Sequence, residues 1–456
     1  MTTYDVAILG AGPGGYEAAL RAHAKGLRPV LIEKKDVGGV CLNQGCIPTK
    51  VLLSIAKLLD RVKAAEALGI DVSGVSFRWP QMLKQKEAVI SGLQRSMLGQ
   101  VTKAGIPLVK GTGRILPNRR IEVTTGGGQR QEISAKAIVI ATGSRPKPFP
   151  KVSFDGVRIL SSDDLLKLIE VPKHLVVIGG GAVGVEFASL FHSLGTEVAM
   201  VELLDRLIPL EDSDLGKRLE MSFKRRGINV HTGTQVTGIV KTDSLVTVQL
   251  DSGVKLSGEK VLVSIGRDRN TSGLGLEEVG IKLEGDAIRV NEYLETDAKG
   301  IYAIGDVTNL PQLAHVASFG ADLVIDHVLD PKTKRAFPVH AIPNCIFCEP
   351  AIASVGLTLE SAAKQGVEAK ETRVLLSSEG KAHVEGALEG FVKLVIDARK
   401  GTVIGGHVMG GEAGEVIGAI TVAVTHQLHV KDLQKTIFPH PTYQELISRA
   451  ARLLME

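Results

Sequence analysis

No stretch of this chain is apolar for long enough to cross a bilayer. Among its 456 residues no apolar run approaches the roughly 20 positions that a spanning helix needs. An excess of charge is missing too. Its 54 basic and 50 acidic side chains leave +4, spread along the sequence, so no nucleic-acid surface is expected. Cysteine is scarce at four residues, which argues against a disulfide-stapled scaffold. There is no room for a leader either, because a strand pattern begins at Tyr4; the expectation is a cytoplasmic chain with no membrane segment.

What is present is ordinary in bulk and distinctive in detail. An apolar fraction of 44% and a charged fraction of 23% fit a globular protein. The length allows about three domains at roughly 150 residues each. The 51 glycines are not low-complexity sequence. They gather in short motifs, as expected where backbone turns approach ligands closely.

Two of those motifs are copies of one device. Tyr4–Leu9 predicts a buried parallel strand, followed by Gly10-Ala11-Gly12-Pro13-Gly14-Gly15, a helix over Tyr16–Lys25 and a second strand, Pro29–Ile32, ending at Glu33. Leu175–Ile178 leads likewise into Gly179-Gly180-Gly181-Ala182-Val183-Gly184, a helix over Val185–Leu194 and a strand, Glu197–Val201, ending at Glu202. Each is a βαβ unit with a G-x-G-x-x-G turn, which sets a pyrophosphate on a helix N-terminus and an acid on a ribose. The glycine pattern alone is weak, but strand, helix and acid together make it strong. From first glycine to acid the interval is 23 residues in both copies. Two dinucleotide sites are therefore expected, with different ligands.

The run from Gly38 to Lys50 holds Cys41 and Cys46, five positions apart. Pro48 suits a first helical turn. Cys46 then lies at a helix N-terminus, where a thiolate is stabilised, while Cys41 is expected in a mobile loop. One accessible thiol and one good leaving thiolate are what a redox-active disulfide needs. A structural disulfide and half a zinc site are the plainer readings; the low cysteine count and the lack of nearby ligands disfavour them.

Further along, Ala137–Ile140 predicts a strand ending in the small-residue turn Ala141-Thr142-Gly143-Ser144, and Pro146, Pro148 and Pro150 mark a domain exit. Val261–Val263 closes the second unit in the same way before Gly266 and Arg267. Gly300–Val307 predicts a strand delivering Asp306 at its C-terminal end, where open α/β sheets place ligand contacts. A helix cap is the plainer role for that aspartate. From Phe337 the pattern changes to α+β, with short strands such as Phe391–Ile396. Cys345 and Cys348 are three apart, and in a strand such residues face opposite ways. Both read as small apolar fillers, with a four-cysteine zinc site as the competing arrangement and no metal as the expectation.

Together these motifs closely resemble the flavin-dependent pyridine nucleotide–disulfide oxidoreductases, and within that family the enzymes that oxidise dihydrolipoamide. The likeness covers essentially the whole chain. It is most specific at Gly39–Lys50, Ala141-Thr142-Gly143, Gly305-Asp306 and His440-Pro441-Thr442. It implies an α/β fold of two Rossmann-like dinucleotide-binding domains, for FAD and NAD, plus a C-terminal α+β dimerisation domain. The implied boundaries are 1–145 for FAD and the redox disulfide, 146–267 for NAD, 268–336 for a central domain completing the FAD site, and 337–456 for the interface.

The resemblance also implies roles. Cys41 exchanges with the dithiol and Cys46 passes electrons to the flavin. His440 is the base, oriented by Glu445, and in a homodimer it serves Cys41 of the other subunit. Lys50 places positive charge near the reduced flavin and pairs with Glu186. Cofactor contacts are implied from Gly10, Gly12, Pro13, Gly14, Gly15, Glu33, Lys34, Gly39, Val40, Cys41, Lys50, Gly113, Ala141, Thr142, Gly143, Gly305, Asp306, Ala314 and His315. In the second unit they are implied from Gly179, Gly181, Ala182, Val183, Gly184, Glu186, Glu202, Val236 and Gly266. Arg206 reads as a surface charge rather than a phosphate ligand, so NAD is expected over NADP. The implied partners are lipoyl domains of 2-oxoacid dehydrogenase complexes or of the glycine cleavage system.

The chain departs from the family at Val40, where threonine is common, and at Pro439, where alanine is. It also departs at Arg267-Asp268-Arg269-Asn270, a segment expected to carry little functional weight. Reductases of glutathione, mycothiol or related disulfides share the scaffold and are the alternative; Tyr16-Glu17-Ala18-Ala19 looks like the lipoamide enzymes instead. The C-terminus, Ala451–Glu456, carries neither the vicinal cysteines of mercuric reductases nor a redox tail. A non-catalytic flavoprotein is disfavoured because disulfide, base and both turns are intact.

Overall fold

A computed structural model describes residues 3–332 and 335–456. Two compact units make up the chain: residues 1–52, 78–147 and 266–337 in one, and 53–77, 148–265 and 338–456 in the other.

In the first unit seven strands share one sheet. Leu108–Lys110, Pro29–Glu33, Thr3–Leu9 and the far half of Arg130–Ile140 run parallel, and Ile301–Ala303 joins the last of these in the same sense. Val6–Leu9 and Pro29–Glu33 are buried on both faces, as continuous apolar runs in parallel strands must be. Arg130–Ile140 is long because it serves two ladders. Residues 130–134 pair antiparallel with Arg120–Thr124, and from Ser134 onward the strand pairs parallel with Thr3–Leu9. The helix Pro13–Ala24 buries Ala18, Ala19 and Ala22. A Cβ at Gly14 would lie 3.1 Å from the carbonyl oxygen of Ala317, so a bare backbone there lets this helix close on Ala314–Leu329. The expected strand Gly300–Val307 is shorter: Ile301–Ala303 is strand, and Gly305–Val307 is a 3-10 turn that Gly305 opens at φ +72°.

In the second unit a parallel sheet runs Asn229–His231, Glu197–Val201, His174–Ile178, Lys260–Val263, Ile159–Leu160. A three-stranded antiparallel sheet, Val236–Lys241, Val246–Leu250 and Lys255–Gly258, contributes to the same hydrophobic core. After residue 338 five antiparallel strands follow in the order Pro343–Ile346, Ile352–Gly356, Val403–Met409, Phe391–Asp397, Ala369–Leu375. Helices Ala413–Thr425 and Glu445–Leu453 share their core, and the latter turns Leu446, Ile447, Ala450 and Ala451 inward as one stripe. The α+β reading of this region is borne out.

Candidate redox and nucleotide sites

The two glycine turns match almost atom for atom. A Cβ on the first glycine would meet the carbonyl oxygen that ends the neighbouring parallel strand: Ala141 O at 2.3 Å from Gly10, and Ser264 O at 2.4 Å from Gly179. Both glycines hold φ near +100°. A Cβ on the last glycine would meet the first glycine's own oxygen, at 1.8 Å from Gly15 and 1.9 Å from Gly184. Of the middle glycines, Gly181 faces open space, and a Cβ on Gly12 would meet only Gly39 Cα, at 3.9 Å. Each is the N-cap of its helix, with no side-chain cap and no acid in the first turn. Free N–H groups beside a concavity that a Cβ would fill fit a pyrophosphate. Pro13 and Ala182 begin the two helices, and Val183 stands where the other copy has Gly14.

The acids are held in the same way in both copies. Glu33 Oε2 accepts from Ala11 N at 2.7 Å and Oε1 from Lys35 N at 2.7 Å. Glu202 Oε2 accepts from Gly180 N at 2.6 Å and Oε1 from Leu204 N at 2.8 Å. Both carboxylates are buried. Pinned by two backbone donors each, they keep further lone pairs for ribose hydroxyls. Arg206 is not the surface charge expected: it is mostly buried, reaches Asp205 and the Pro209 carbonyl, and lies 4.0 Å from Glu360. Its charge is already answered by carboxylates, which also makes it a poor phosphate ligand.

Cys41 lies in a short helix, Gly39–Gln44, not in a loop. Gly38 and Gly39, both at positive φ, begin that helix. Asn43 then ties it down by donating to the Val37 and Gly39 carbonyls and accepting from Gln94 at 2.6 Å. Cys46 is the first residue of the next helix, Cys46–Lys63. Both cysteines are half-buried thiols in this structure. The Cys41 thiol is pushed far up, first by its hydrogen bond to Cys46, then by burial and by the charges of Cys46 and Asp306; Lys50 opposes this. Val40 is part of the same short helix, and Lys50 lies one turn beyond Cys46.

Around Asp306 the structure gives Arg267–Asn270, expected to carry little functional weight, a dense set of contacts. Arg267–Arg269 forms a strand antiparallel to Ser144–Pro146. Asn270 closes the Ala141–Ser144 turn, its N bonding Gly143 O and its Nδ2 bonding Thr142 O at 2.9 Å, while Thr142 Oγ1 donates to Asn270 O at 2.8 Å. Ser144 Oγ donates to Asp306 Oδ2 at 2.5 Å. Ser144 and Arg267 were not among the expected site residues. The one available signal was position, immediately after the Ala-Thr-Gly turn and after Gly266.

At the chain's end Glu445 opens the last helix and accepts from Thr442 N at 2.9 Å. Its carboxylate lies 3.1 Å from His440 Nδ1 through either oxygen. The Thr442 N–H, then His440, hold Glu445 below the usual carboxylate range. With Nδ1 engaged by Glu445, Nε2 is the ring nitrogen that a proton transfer would use. The imidazole is 73% exposed within its own chain.

The remaining expected contacts are spread over both units. Lys34 is exposed just past Glu33, and Gly113 packs its bare Cα side on Leu9 and Ile121. Ala314 and His315 begin their helix. Val236 begins its strand, Gly266 holds φ +129°, and buried Glu186 accepts from Phe347 N at 2.9 Å. That last bond corrects the picture of Cys345 and Cys348. Phe347 N is drawn to Glu186 and Glu349 N to Ser189 Oγ, so the strand stops at Ile346. Cys348 lies past its end, buried, with Sγ 3.2 Å from Pro350 O. Among the described residues the one cluster of three metal-capable side chains is Glu379, His440 and Glu445, without a cysteine. Arg449 already pairs with Glu379 there at 3.2 Å.

Comparison with known proteins agrees with this geometry. Residues 4–321 match the family model described as pyridine nucleotide-disulphide oxidoreductase, and residues 342–451 match its dimerisation domain. A dihydrolipoyl dehydrogenase of Chlorobaculum tepidum is 38% identical over 452 residues, covering 98% of this chain and 96% of its own. One from Bacillus subtilis is 37% identical over 463 residues, covering 99% and 98%. The crystal structure of LpdA from Mycobacterium tuberculosis superposes with a TM-score of 0.93 at 31% identity, covering all of both chains.

Proposed function

Because this chain belongs to the pyridine nucleotide-disulphide oxidoreductases, we propose that it oxidises dihydrolipoamide to lipoamide at Cys41 and Cys46 and passes the electrons to NAD⁺. It is a flavoprotein oxidoreductase that uses FAD and NAD. The observation that carries the site assignment is the cysteine pair itself: two half-buried thiols, Cys41 in the helix Gly39–Gln44 and Cys46 opening the helix that also carries Lys50.

FAD supplies a two-electron acceptor for the dithiol, and NAD⁺ takes the hydride. The chain's own residues do the rest. Gly12 and Glu33 anchor FAD, Gly181 and Glu202 anchor NAD, and Asp306 holds the flavin half. His440 Nε2 takes the proton of a substrate thiol, and Glu445 keeps Nδ1 engaged so that the ring presents the right face. The substrate sulfur attacks Cys41 Sγ; the Cys41–Cys46 bond breaks and Cys46 leaves as thiolate. A second substrate thiol, deprotonated in turn, displaces Cys41, so lipoamide departs oxidised and the pair holds two more electrons. Cys46 is the better leaving group because it sits on the helix N-terminus. Lys50 offsets negative charge there.

Residues 1–145, 146–267, 268–336 and 337–456 serve as FAD, NAD, central and interface domains. The last carries the family's dimerisation domain. An exposed base needs a second surface to make a dry site, and a homodimer provides it, with His440 of each subunit serving Cys41 of the other. Among the described residues no helix is long and apolar enough to cross a membrane. The dithiol arrives on lipoyl domains of a 2-oxoacid dehydrogenase complex or of the glycine cleavage system, in the cytoplasm.

The deciding assay compares NAD⁺ reduction by dihydrolipoamide with NADPH oxidation by glutathione disulfide. A higher kcat/KM for the glutathione pair overturns the substrate assignment. Coenzyme choice is a separate prediction. Glu202 repels a 2′-phosphate, and Arg206 is committed elsewhere, so kcat/KM for NAD⁺ should exceed that for NADP⁺ on the order of a hundredfold. Comparable values would remove Glu202 from the ribose site.

A further inference from the structure

Asp306 is not held by its own turn alone. Ser144 Oγ, almost fully buried, gives its one proton to Asp306 Oδ2 at 2.5 Å. Arg267 Nε in turn donates to Ser144 Oγ at 2.7 Å, its other arm donates to Ser144 O at 3.1 Å, and Nε stands 4.0 Å from Asp306 Oδ2. A hydroxyl that accepts from a guanidinium becomes a stronger donor, so the serine passes the arginine's charge to one chosen carboxylate oxygen. Two residues on, along the same strand face, Arg269 Nε donates to Thr308 O at 2.7 Å, and Asp286 anchors that arginine at 2.7 Å. Thr308 is fully buried and closes back on Gly305 O through both its N–H and its hydroxyl. The two arginines thus grip the turn that carries Asp306 at its acid and at its exit.

We propose that Arg267, acting through Ser144, is a positioning residue for the flavin half of FAD: it engages Asp306 Oδ2 and leaves Oδ1 to accept from a hydroxyl of the cofactor's polyol chain. This rests on the reading above that Asp306 holds that half. Two arguments point to the flavin end rather than the adenosine end. In the reading above the adenosine ribose falls to Glu33, which two backbone N–H groups fix at the far edge of the glycine turn. Asp306, in contrast, is close enough to Cys41 for its charge to raise that thiol, so it lies on the redox side. A swinging carboxylate would have to be ordered each time the cofactor binds; one already fixed by a charge-assisted chain is not.

The test is binding to the apoprotein, read by quenching of FAD fluorescence, with ADP as the probe for the adenosine half. Arg267→Gln and Ser144→Ala should each weaken FAD on the order of ten- to a hundredfold, the range of a hydrogen bond to a charged group. Neither should change the affinity for ADP by more than about twofold, because Glu33 and the glycine turn are untouched. Asp306→Asn should weaken FAD as well, and adding Arg267→Gln to it should cost nothing further, since the arginine acts through that acid. Equal loss of ADP affinity would mean that Arg267 merely supports the fold, and additive losses would mean that it acts elsewhere; either overturns the proposal. Wild-type FAD affinity in Arg267→Gln with a weak Asp306→Asn overturns the relay while keeping Asp306 as a flavin contact. Wild-type affinity in Asp306→Asn removes that contact itself. Arg267→Lys keeps the charge without the planar fork and should recover only part of the loss.

Discussion

His440→Gln slows reduction of the protein by a dithiol on the order of 10² to 10⁴-fold, the usual worth of a positioned general base. FAD content should not change. The imidazole is 73% exposed in its own chain, so little packing is lost. A glutamine amide can also still donate to Glu445, which Thr442 N holds independently at 2.9 Å. What glutamine cannot do is accept the substrate's proton. Reduction of the same variant by NADH should be nearly normal, because that half-reaction begins with no thiol to deprotonate. Stopped-flow measurement of the two half-reactions separates these effects. Equal slowing of both would make His440 a structural residue.

Much of this site was legible because its geometry is local. A G-x-G-x-x-G turn is fixed within six residues, and the acid that completes it comes after one helix and one strand of nearly standard length, so spacing was enough for Gly10–Glu33 and Gly179–Glu202. His440 and Glu445 are five apart, and the helix start at Glu445 brings them together.

The misreadings fall where a contact crosses the sequence. The sequence around Cys41 reads as a loop, since nothing near it favours a helix. The short helix is held from outside, by Gln94 reaching Asn43 from 51 positions away. The strand through Cys345 ends early because Glu186 and Ser189, some 160 positions upstream, take the next backbone N–H groups. Arg267–Asn270 was discounted for the same reason. Its partners are Thr142, Gly143 and Ser144, more than 120 residues upstream, and Asp306 and Thr308, 39 residues downstream, and local sequence carries no sign of either pairing. A charge just past a strand is usually exposed, and Arg206 reads that way in sequence; Asp205, Pro209 and Glu360 fold it down instead.

The two cysteines should separate by spectrum rather than by rate. Cys41→Ser and Cys46→Ser both lose dithiol turnover entirely, because exchange needs two sulfurs. They differ in which sulfur remains. In Cys41→Ser the survivor is Cys46, the first residue of the helix Cys46–Lys63, where unpaired N–H groups favour a thiolate. In the proposed arrangement that sulfur faces the flavin, so the variant should show a long-wavelength absorption band with no reductant present. Acidification should abolish the band as the thiolate takes a proton. Cys46→Ser keeps Cys41, which loses the hydrogen bond that most raises its pKa and the smaller effect of the neighbouring charge, but remains half-buried and near Asp306. On the substrate side of the pair, in the six-residue helix Gly39–Gln44 rather than at the start of the long one, it should leave the spectrum of ordinary oxidised flavin. Alkylation gives an independent check: Cys41 in Cys46→Ser should react with a bulky thiol reagent faster than Cys46 in Cys41→Ser, since the substrate must reach Cys41. A band in Cys46→Ser and none in Cys41→Ser would reverse the roles of the two sulfurs, and the leaving group in the exchange would then be Cys41.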